Sequence, residues 1–140
     1  MASILDLTKE RDTHINERLH NDIVIWLNSV HPAGKPHAVV VWFLWDGETI
    51  LIFSRPNSQK VRNLQKNPHV LLAVDNTNGG SDPITLEGTA TLLAPGEADT
   101  THGAFVKKYG ERIKEEIGST PEQMAAEYSQ PIRITLTRAM

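Results

Sequence analysis

Two apolar segments separated by Asp46-Gly47 place the strongest constraint on how this chain folds. Val39–Trp45 and Ile50–Ser54 consist largely of the β-branched, aliphatic and aromatic residues that strands favour. Asp-Gly is a dipeptide that tolerates the positive φ angles of a tight turn. The segment therefore predicts a β-hairpin with Asp46-Gly47 at its turn.

A short basic helix is predicted directly after this hairpin. Asn57 or Ser58 can cap a helix over Gln59–Asn67, because a side-chain oxygen at the N-cap accepts a hydrogen bond from a first-turn N–H group. The remaining free N–H groups of that turn lie beside Lys60 and Arg62, and such a helix start favours a phosphate group. The alternative interpretation is that the cations of this helix form only its solvated face.

The rest of the chain consists of further strand-like and helix-like segments. Apolar residues alternate with polar ones along Ile84–Leu92 and Ile132–Thr137, as is typical of strands with one buried face. The predicted strands are Ile23–Val30, His37–Trp45, Ile50–Ser54, Val70–Val74, Ile84–Leu92 and Ile132–Thr137, and the further predicted helices are Leu5–Asn21, Glu97–Lys108 and Thr120–Tyr128. Six strands with helices outside them favour a mostly β fold, a small and mainly antiparallel barrel, because closing the sheet removes its exposed edges.

Length, charge and cysteine content limit the classes of function. A chain of 140 residues has the size of one ordinary domain, so residues 1–140 are expected to form a single domain. The net charge of −3 and the lack of a polybasic run argue against nucleic acid or a membrane surface as a partner. With no cysteine, no export-signal pattern and no apolar run of about 20 residues, the protein is expected in the cytoplasm.

No motif marks a catalytic side chain. The six histidines have no metal-ligand spacing, so no metal site is expected. Neither a serine-nucleophile motif nor a glycine-rich nucleotide-binding loop is present in the sequence. The catalytic residue is therefore left unassigned, and a bound cofactor would have to supply the reactive centre. The candidate pocket contains Ser54, Ser58, Lys60 and Arg62, whose hydroxyl and cationic groups suit a phosphate.

Three consecutive motifs carry a resemblance to a known family. They are G-K-P-H-A-V-V-V-W-F-L-W-D-G at residues 34–47, I-L-I-F-S at 50–54 and S-x-K-V-R-N-L-x-x-N-P-x-V at 58–70. This order resembles the split β-barrel flavin-binding superfamily, which has the pyridoxamine 5′-phosphate oxidase-like fold. It is most similar to the branch of oxidoreductases that depend on the deazaflavin coenzyme F420. The resemblance implies a homodimer with the cofactor between the subunits.

The resemblance also implies which residues contact the cofactor. Residues of the strand after the first turn would line the ring, two residues at the end of the next strand would lie beside the tail, and the helix start would hold the phosphate. In that order these residues are His37, Val39, Val40, Val41 and Trp42; Phe53 and Ser54; and Gln59 and Lys60. The helix-terminus argument adds Ser58 and Arg62, and Asn76 is added as a polar loop residue that follows a pocket strand.

The function implied by the resemblance is hydride transfer between coenzyme F420 and an unsaturated organic substrate. Two alternatives are an FMN-binding oxidase or flavin reductase of the same fold, and a non-catalytic dimer that binds a cofactor or a haem-like ligand. Vitamin B6 oxidation is disfavoured. The pyridoxamine phosphate oxidases place basic residues at the positions of His37, Trp42 and Gln59, where this chain is neutral or nearly so, and two phosphates would require more cations.

Overall fold

The computed structural model describes residues 3–74 and 79–140, where the chain forms one curled sheet. The strands are β1 (Val24–Val30), β2 (Pro36–Trp42), β3 (Leu44–Trp45), β4 (Thr49–Ser54), β5 (His69–Val74), β6 (Ile84–Leu92) and β7 (Gln130–Ala139). Their order across the sheet is β2-β1-β5-β6-β7-β4-β3, and each neighbouring pair is antiparallel. The sheet curls into a half-barrel with β2 and β3 at its edges.

Four helices accompany the sheet within the described ranges. They are α1 (Glu10–Asn21), α2 (Gln59–Lys66), α3 (Gly103–Arg112) and α4 (Pro121–Glu127), and a π-helical turn, Ile113–Ile117, continues α3. α1 buries Ile15 and Leu19, which lie one turn apart on the same helix face. None of these helices combines the length and apolar composition that a membrane span requires.

The main core lies on the inner face of the sheet. Along β6 the side chains of Ile84, Leu86 and Ala90 are buried, whereas Thr85, Glu87 and Thr89 are more exposed. Gly88 lets β6 approach β7 closely, because a Cβ at this position would lie 2.7 Å from Cγ2 of Ile134. Each fully buried aliphatic side chain contributes about 1.5–3 kcal/mol, so this inner face is the main source of stability.

The predicted fold class is confirmed, but the sheet differs from the prediction at two points. The segment predicted as one strand, His37–Trp45, is interrupted at Phe43, whose N–H group donates to the Tyr109 hydroxyl at 2.9 Å. β2 therefore pairs with β1 while β3 pairs with β4 around the predicted turn, which gives seven strands instead of six. The barrel is also open, because no ladder joins β2 to β3 among the described residues.

Two helices begin later than predicted. The helix predicted over Leu5–Asn21 begins at Glu10, because the Asp6 carboxylate accepts hydrogen bonds from Thr8 in a preceding turn. The helix predicted over Glu97–Lys108 begins only after residue 102, whose ring nitrogen accepts from a first-turn N–H group. In both cases hydrogen bonds to a local side chain hold the chain in another conformation in place of the first predicted helical residues.

A second apolar cluster joins α3 to the sheet. Phe53 at the end of β4 meets Phe105 edge-to-face, with ring centroids 5.2 Å apart. Trp42 at the end of β2 stacks on Tyr109 at 4.6 Å with an angle of 7° between the rings. α3 is thus fixed against the ends of two strands that are not neighbours in the sheet.

Candidate functional site

The start of α2 is organised by two serine hydroxyls. Ser58 is the N-cap, and its Oγ accepts from the Val61 N–H at 3.4 Å. The same Oγ lies 2.8 Å from Oγ of Ser54, which donates to the carbonyl oxygen of Arg55 at 2.9 Å. Of the two N-cap candidates, the structure thus selects Ser58. Both predicted pocket serines already hold the β4–α2 connection in shape.

Hydrogen-bonding capacity remains unused at the first turn of α2. In the described part of the chain, the backbone N–H groups of Gln59 and Lys60 have no acceptor. The Lys60 side chain is half-buried, and within the same ranges its ammonium group has no hydrogen-bond or ion-pair partner. Burial, followed by the repulsion of the nearby Arg55, lowers the pKa of Lys60. An anion at this position would relieve both the desolvation and the repulsion.

Arg62 is exposed and folds back onto its own helix. One guanidinium nitrogen donates to the carbonyl oxygen of Asn57 and another donates to Oε1 of Gln59 at 2.7 Å. Asn57 has a positive φ of 62°, so this hydrogen bond stabilises a backbone conformation that few residues other than glycine adopt. The structure therefore gives Arg62 a local role at the helix start, and its predicted contact with an anion stays a prediction.

A buried polar network connects α2 to the first hairpin. Asn63 is fully buried, donates to Oγ of Ser29 at 2.9 Å and accepts from Nε2 of Gln59 at 2.7 Å. Ser29 on β1 is paired in register with His37 on β2. The network therefore brings the start of β2 to the helix that carries Lys60. Sequence reasoning did not select Asn63, although it lies in the quoted motif between the buried Val61 and Leu64.

His37 presents an unsatisfied buried atom at this junction. Its Nδ1 atom is buried and has no hydrogen-bond partner among the described residues. β2 is an edge strand, so one row of its backbone N–H and C=O groups is not used by the sheet. A polar heterocycle that lies along this edge can bond both to the main chain of β2 and to the His37 ring.

The other predicted ring contacts on β2 are divided between two faces of the sheet. Val39 and Val41 pack against the inner core, whereas Val40 points outward and is 46% exposed. One face of the Trp42 indole is covered by Tyr109. The side chains of this strand therefore cannot all contact one ligand of the same subunit. The strand edge and the free face of Trp42 are the surfaces that remain.

Two further predicted residues have different outcomes. Phe53 is buried under α3 in the second apolar cluster, immediately before Ser54 in the sequence and next to the β4–α2 connection. Asn76 lies outside the described residues, so its predicted contact stays a prediction. Of the predicted set, the structure brings together the start of α2, Ser54 and, through Asn63, the start of β2.

Arg55 is a cation at this site that sequence reasoning missed. It follows Ser54 directly and forms an ion pair with Glu127 at the end of α4. Its guanidinium carbon lies 5.3 Å from the ring centroid of Tyr128. The only signal in the sequence is a basic residue between a predicted strand end and a predicted N-cap, and this position does not indicate which element the side chain contacts.

The residues present fit a ligand with a flat heterocycle and an anionic arm. The edge of β2 and Nδ1 of His37 offer hydrogen bonds to a ring, and the first turn of α2 offers two N–H groups and an ammonium group to an anion. A helix start with free N–H groups and a nearby cation stabilises a phosphate in this way. The arrangement can therefore bind and orient a phosphorylated cofactor.

Solved structures that are similar to this one include proteins of different kinds. An F420 reductase is 26% identical, covers 89% of this chain and 94% of its own, and has a TM-score of 0.69. The heme storage protein HutZ from Vibrio cholerae is 15% identical, with coverage of 94% of both chains and a TM-score of 0.66. The conserved hypothetical protein Rv2991 from Mycobacterium tuberculosis is 21% identical, with coverage of 99% and 87% and a TM-score of 0.72.

Sequence comparison assigns the family more firmly than these structural similarities do. No curated protein sequence matches the chain. The sequence model of the family described as pyridoxamine 5′-phosphate oxidase matches residues 12–139, which is nearly the whole chain and includes every strand of the sheet. The predicted family is confirmed: this chain belongs to the pyridoxamine 5′-phosphate oxidase family.

Proposed function

We propose that the protein is an oxidoreductase that binds coenzyme F420 and uses it to reduce an unsaturated organic substrate. The observation that carries the proposal is the half-buried Lys60 ammonium group, which has no partner in the described part of the chain and lies at the first turn of α2. Similarity to an F420 reductase over 89% of the chain supports the choice of cofactor. When bound, coenzyme F420 supplies a hydride from C5 of its deazaflavin ring.

In this proposal the chain's own residues bind and orient the cofactor. Lys60 and the free N–H groups of Gln59 and Lys60 hold the phosphate of the cofactor's tail. The edge of β2 and Nδ1 of His37 bond to the ring, which fixes the face presented to the substrate. Fixed orientation lowers the barrier because the reacting atoms no longer have to find each other in solution. The face of the Trp42 indole that Tyr109 leaves free keeps water away from the ring.

A homodimer is part of the proposal. Trp26 on β1 and Val40 on β2 are paired in register and point outward, where they are 41% and 46% exposed, and Leu71 on the adjacent β5 is 40% exposed. A contiguous apolar patch on a sheet face favours burial against another surface. A second copy of this chain would bury it and place the partner's residues beside the edge of β2. Light scattering measures the mass: a dimer is expected, and a monomer at micromolar concentration contradicts it.

FMN is the second candidate cofactor. Membership of the pyridoxamine 5′-phosphate oxidase family favours it, since the resemblance in the sequence points to flavin binding. Both cofactors carry a phosphate and a flat ring, so the same residues would serve. A parallel titration with coenzyme F420, FMN and FAD, followed by tryptophan fluorescence, separates the two. Tighter binding of coenzyme F420 by tenfold, or about 1.4 kcal/mol, supports the first candidate, and tighter binding of FMN selects the second.

The test of the site itself is Lys60→Ala. Removal of the ammonium group is expected to weaken coenzyme F420 binding about tenfold, because a charge-assisted hydrogen bond to the phosphate is lost. The matched control is Lys66→Ala, which removes an exposed lysine from the last turn of the same helix and is expected to leave affinity unchanged. Equal affinity of Lys60→Ala and the unmodified protein for every cofactor tested refutes the proposed site.

A further inference from the structure

The end of α4 contacts the candidate anion site through Arg55. Glu127, the last residue of α4, forms an ion pair with the Arg55 guanidinium, and Tyr128 lies under the same group. Arg55 precedes the N-cap of α2 by three residues, and burial followed by the charge of Arg55 lowers the pKa of Lys60. The acidic end of one helix is therefore paired with a cation that lies beside the start of another.

α4 is held by hydrogen bonds at its start, whereas its last residue, Glu127, makes an exposed ion pair. At the start, Thr120 caps the helix and the Thr100 hydroxyl donates to the carbonyl oxygen of Pro121 at 2.6 Å. No residue of α4 itself is buried. At the end, the Arg55 and Glu127 side chains are 61% and 52% exposed, and ion pairs this exposed contribute little to stability. An external anion can therefore compete with Glu127 for Arg55.

We propose that Arg55 is a further binding residue for the ligand's anionic arm, and that Glu127 is the resident counter-ion which the arm displaces. The inference rests on the proposed function, because it requires an anion at the start of α2. One anionic group between Arg55 and Lys60 would neutralise two cations that otherwise repel each other. The end of α4 would then lose its ion pair, so ligand binding and the α4–Arg55 contact would exclude each other.

Competition between Glu127 and the ligand for Arg55 predicts an unusual direction for the change in ligand affinity when an acidic residue is replaced. Removal of the Glu127 charge is expected to tighten binding, because the ligand no longer has to displace a carboxylate from Arg55. Removal of the Arg55 charge is expected to weaken binding. In the absence of Arg55, the charge at Glu127 should matter little. A purely structural role for the ion pair predicts no change in affinity in either variant.

The experiment is a double-mutant cycle with Glu127→Gln, Arg55→Gln and the combined variant, titrated with coenzyme F420 and, in parallel, with inorganic phosphate. Glu127→Gln should bind coenzyme F420 about threefold more tightly and Arg55→Gln about fivefold more weakly, and the Glu127→Gln effect should vanish in the Arg55→Gln background. The matched control is Glu122→Gln in the first turn of α4, which should leave affinity unchanged. The Glu127→Gln gain should also shrink as salt concentration rises.

Each result has a distinct meaning. Unchanged or weaker binding by Glu127→Gln, in a protein where Lys60→Ala still weakens binding, overturns the competition and leaves the proposed site intact. Unchanged affinity in both Lys60→Ala and Glu127→Gln contradicts the site as well. An equal gain in Glu122→Gln and Glu127→Gln also overturns the inference, since it would reflect net charge alone.

Discussion

The buried polar groups near the two ends of β2 differ in whether they have hydrogen-bond partners. Under α3, the Tyr109 hydroxyl accepts from the N–H group of Phe43 and lies 2.8 Å from the same residue's carbonyl oxygen, to which Lys108 donates at 3.0 Å. At the other end, Nδ1 of His37 and the Lys60 ammonium group have no partner among the described residues. The Phe43 groups have their hydrogen-bond partners without a ligand, whereas the His37 and Lys60 groups have none in the described part of the chain.

This difference separates a structural role from a binding role. A buried polar group without a partner costs about 1–3 kcal/mol, so folding alone gives no reason to keep one. Burial raises the pKa of Tyr109, which keeps its hydroxyl protonated and able to donate. The hydrogen bonds at Phe43 therefore have a structural role, which is to interrupt the strand. The unsatisfied groups near α2 are accounted for if a ligand supplies their partners.

Tyr109→Phe is the substitution with the largest expected effect. It keeps the aromatic packing but leaves the Phe43 N–H group without its acceptor and the Ile23 carbonyl oxygen without the hydroxyl that donates to it at 2.7 Å. The free energy of unfolding is expected to fall by about 2–3 kcal/mol, as measured by urea denaturation. Cofactor affinity should not change, because the break at Phe43 is not part of the proposed site.

The control for this substitution is Tyr128→Phe, which removes a hydroxyl from a tyrosine that is only partly buried. Its stability should stay within about 0.5 kcal/mol of the unmodified protein. Equal stability of Tyr109→Phe and Tyr128→Phe would mean that the Phe43 interruption does not depend on the hydroxyl. The contrast between the two ends of β2 would then be lost.

The sequence predicted most of the sheet, because strand periodicity and turn residues are local signals. The alternation along Ile84–Leu92 and the Asp46-Gly47 turn both correspond to what the structure contains. The interruption at Phe43 could not be predicted, since the hydroxyl that causes it comes from Tyr109, which is distant in sequence. Nothing in the apolar run itself indicates a break.

The candidate site was predictable in part for the same reason. The capping role of Ser58 and the position of Lys60 follow from a short segment around the start of α2. The roles of Asn63 and Arg55 depend on β1 and α4, which pack against this segment only in the folded chain. Contacts of that kind carry no local pattern, so sequence reasoning missed both residues.

His37→Leu tests the start of β2, where the Nδ1 atom has no hydrogen-bond partner among the described residues. Because Nδ1 is buried without a partner in the described chain, its replacement by an apolar side chain of similar volume should raise the free energy of unfolding without ligand by about 1 kcal/mol. The same substitution should weaken cofactor binding, which fluorescence titration measures. Such a trade of binding for stability is expected of a functional residue.

The exposed His69 on β5 provides the control for His37→Leu. His69→Leu should change neither stability nor affinity beyond experimental error, because its ring is not buried. A loss of stability in His37→Leu would mean that the ring already makes a favourable contact in the ligand-free protein. The proposed role of Nδ1 in ligand binding would then have no structural basis.

The pH dependence of stability tests the Phe43 end of β2, where the polar groups have partners, and it has the smallest expected effect. Burial lowers the pKa of Lys108 to about 8, against 10.5 for an unperturbed lysine. Between these two pH values the unfolded chain binds more protons than the folded one, so the free energy of unfolding gains a contribution from Lys108 that rises with pH. Relative to Lys108→Met, the unmodified protein should therefore become more stable between pH 8 and pH 10.5, by about 1 kcal/mol or less. The ammonium group is partly solvated, and it lies 3.0 Å from the Phe43 carbonyl oxygen and 4.0 Å from that residue's ring centroid, so its charged form keeps some stabilisation.

The control is Lys107→Met, at the exposed neighbouring position, which should show no such trend in urea denaturation at matched pH values. A trend of the same size in Lys107→Met would assign the effect to the net charge of α3 instead of the buried amine.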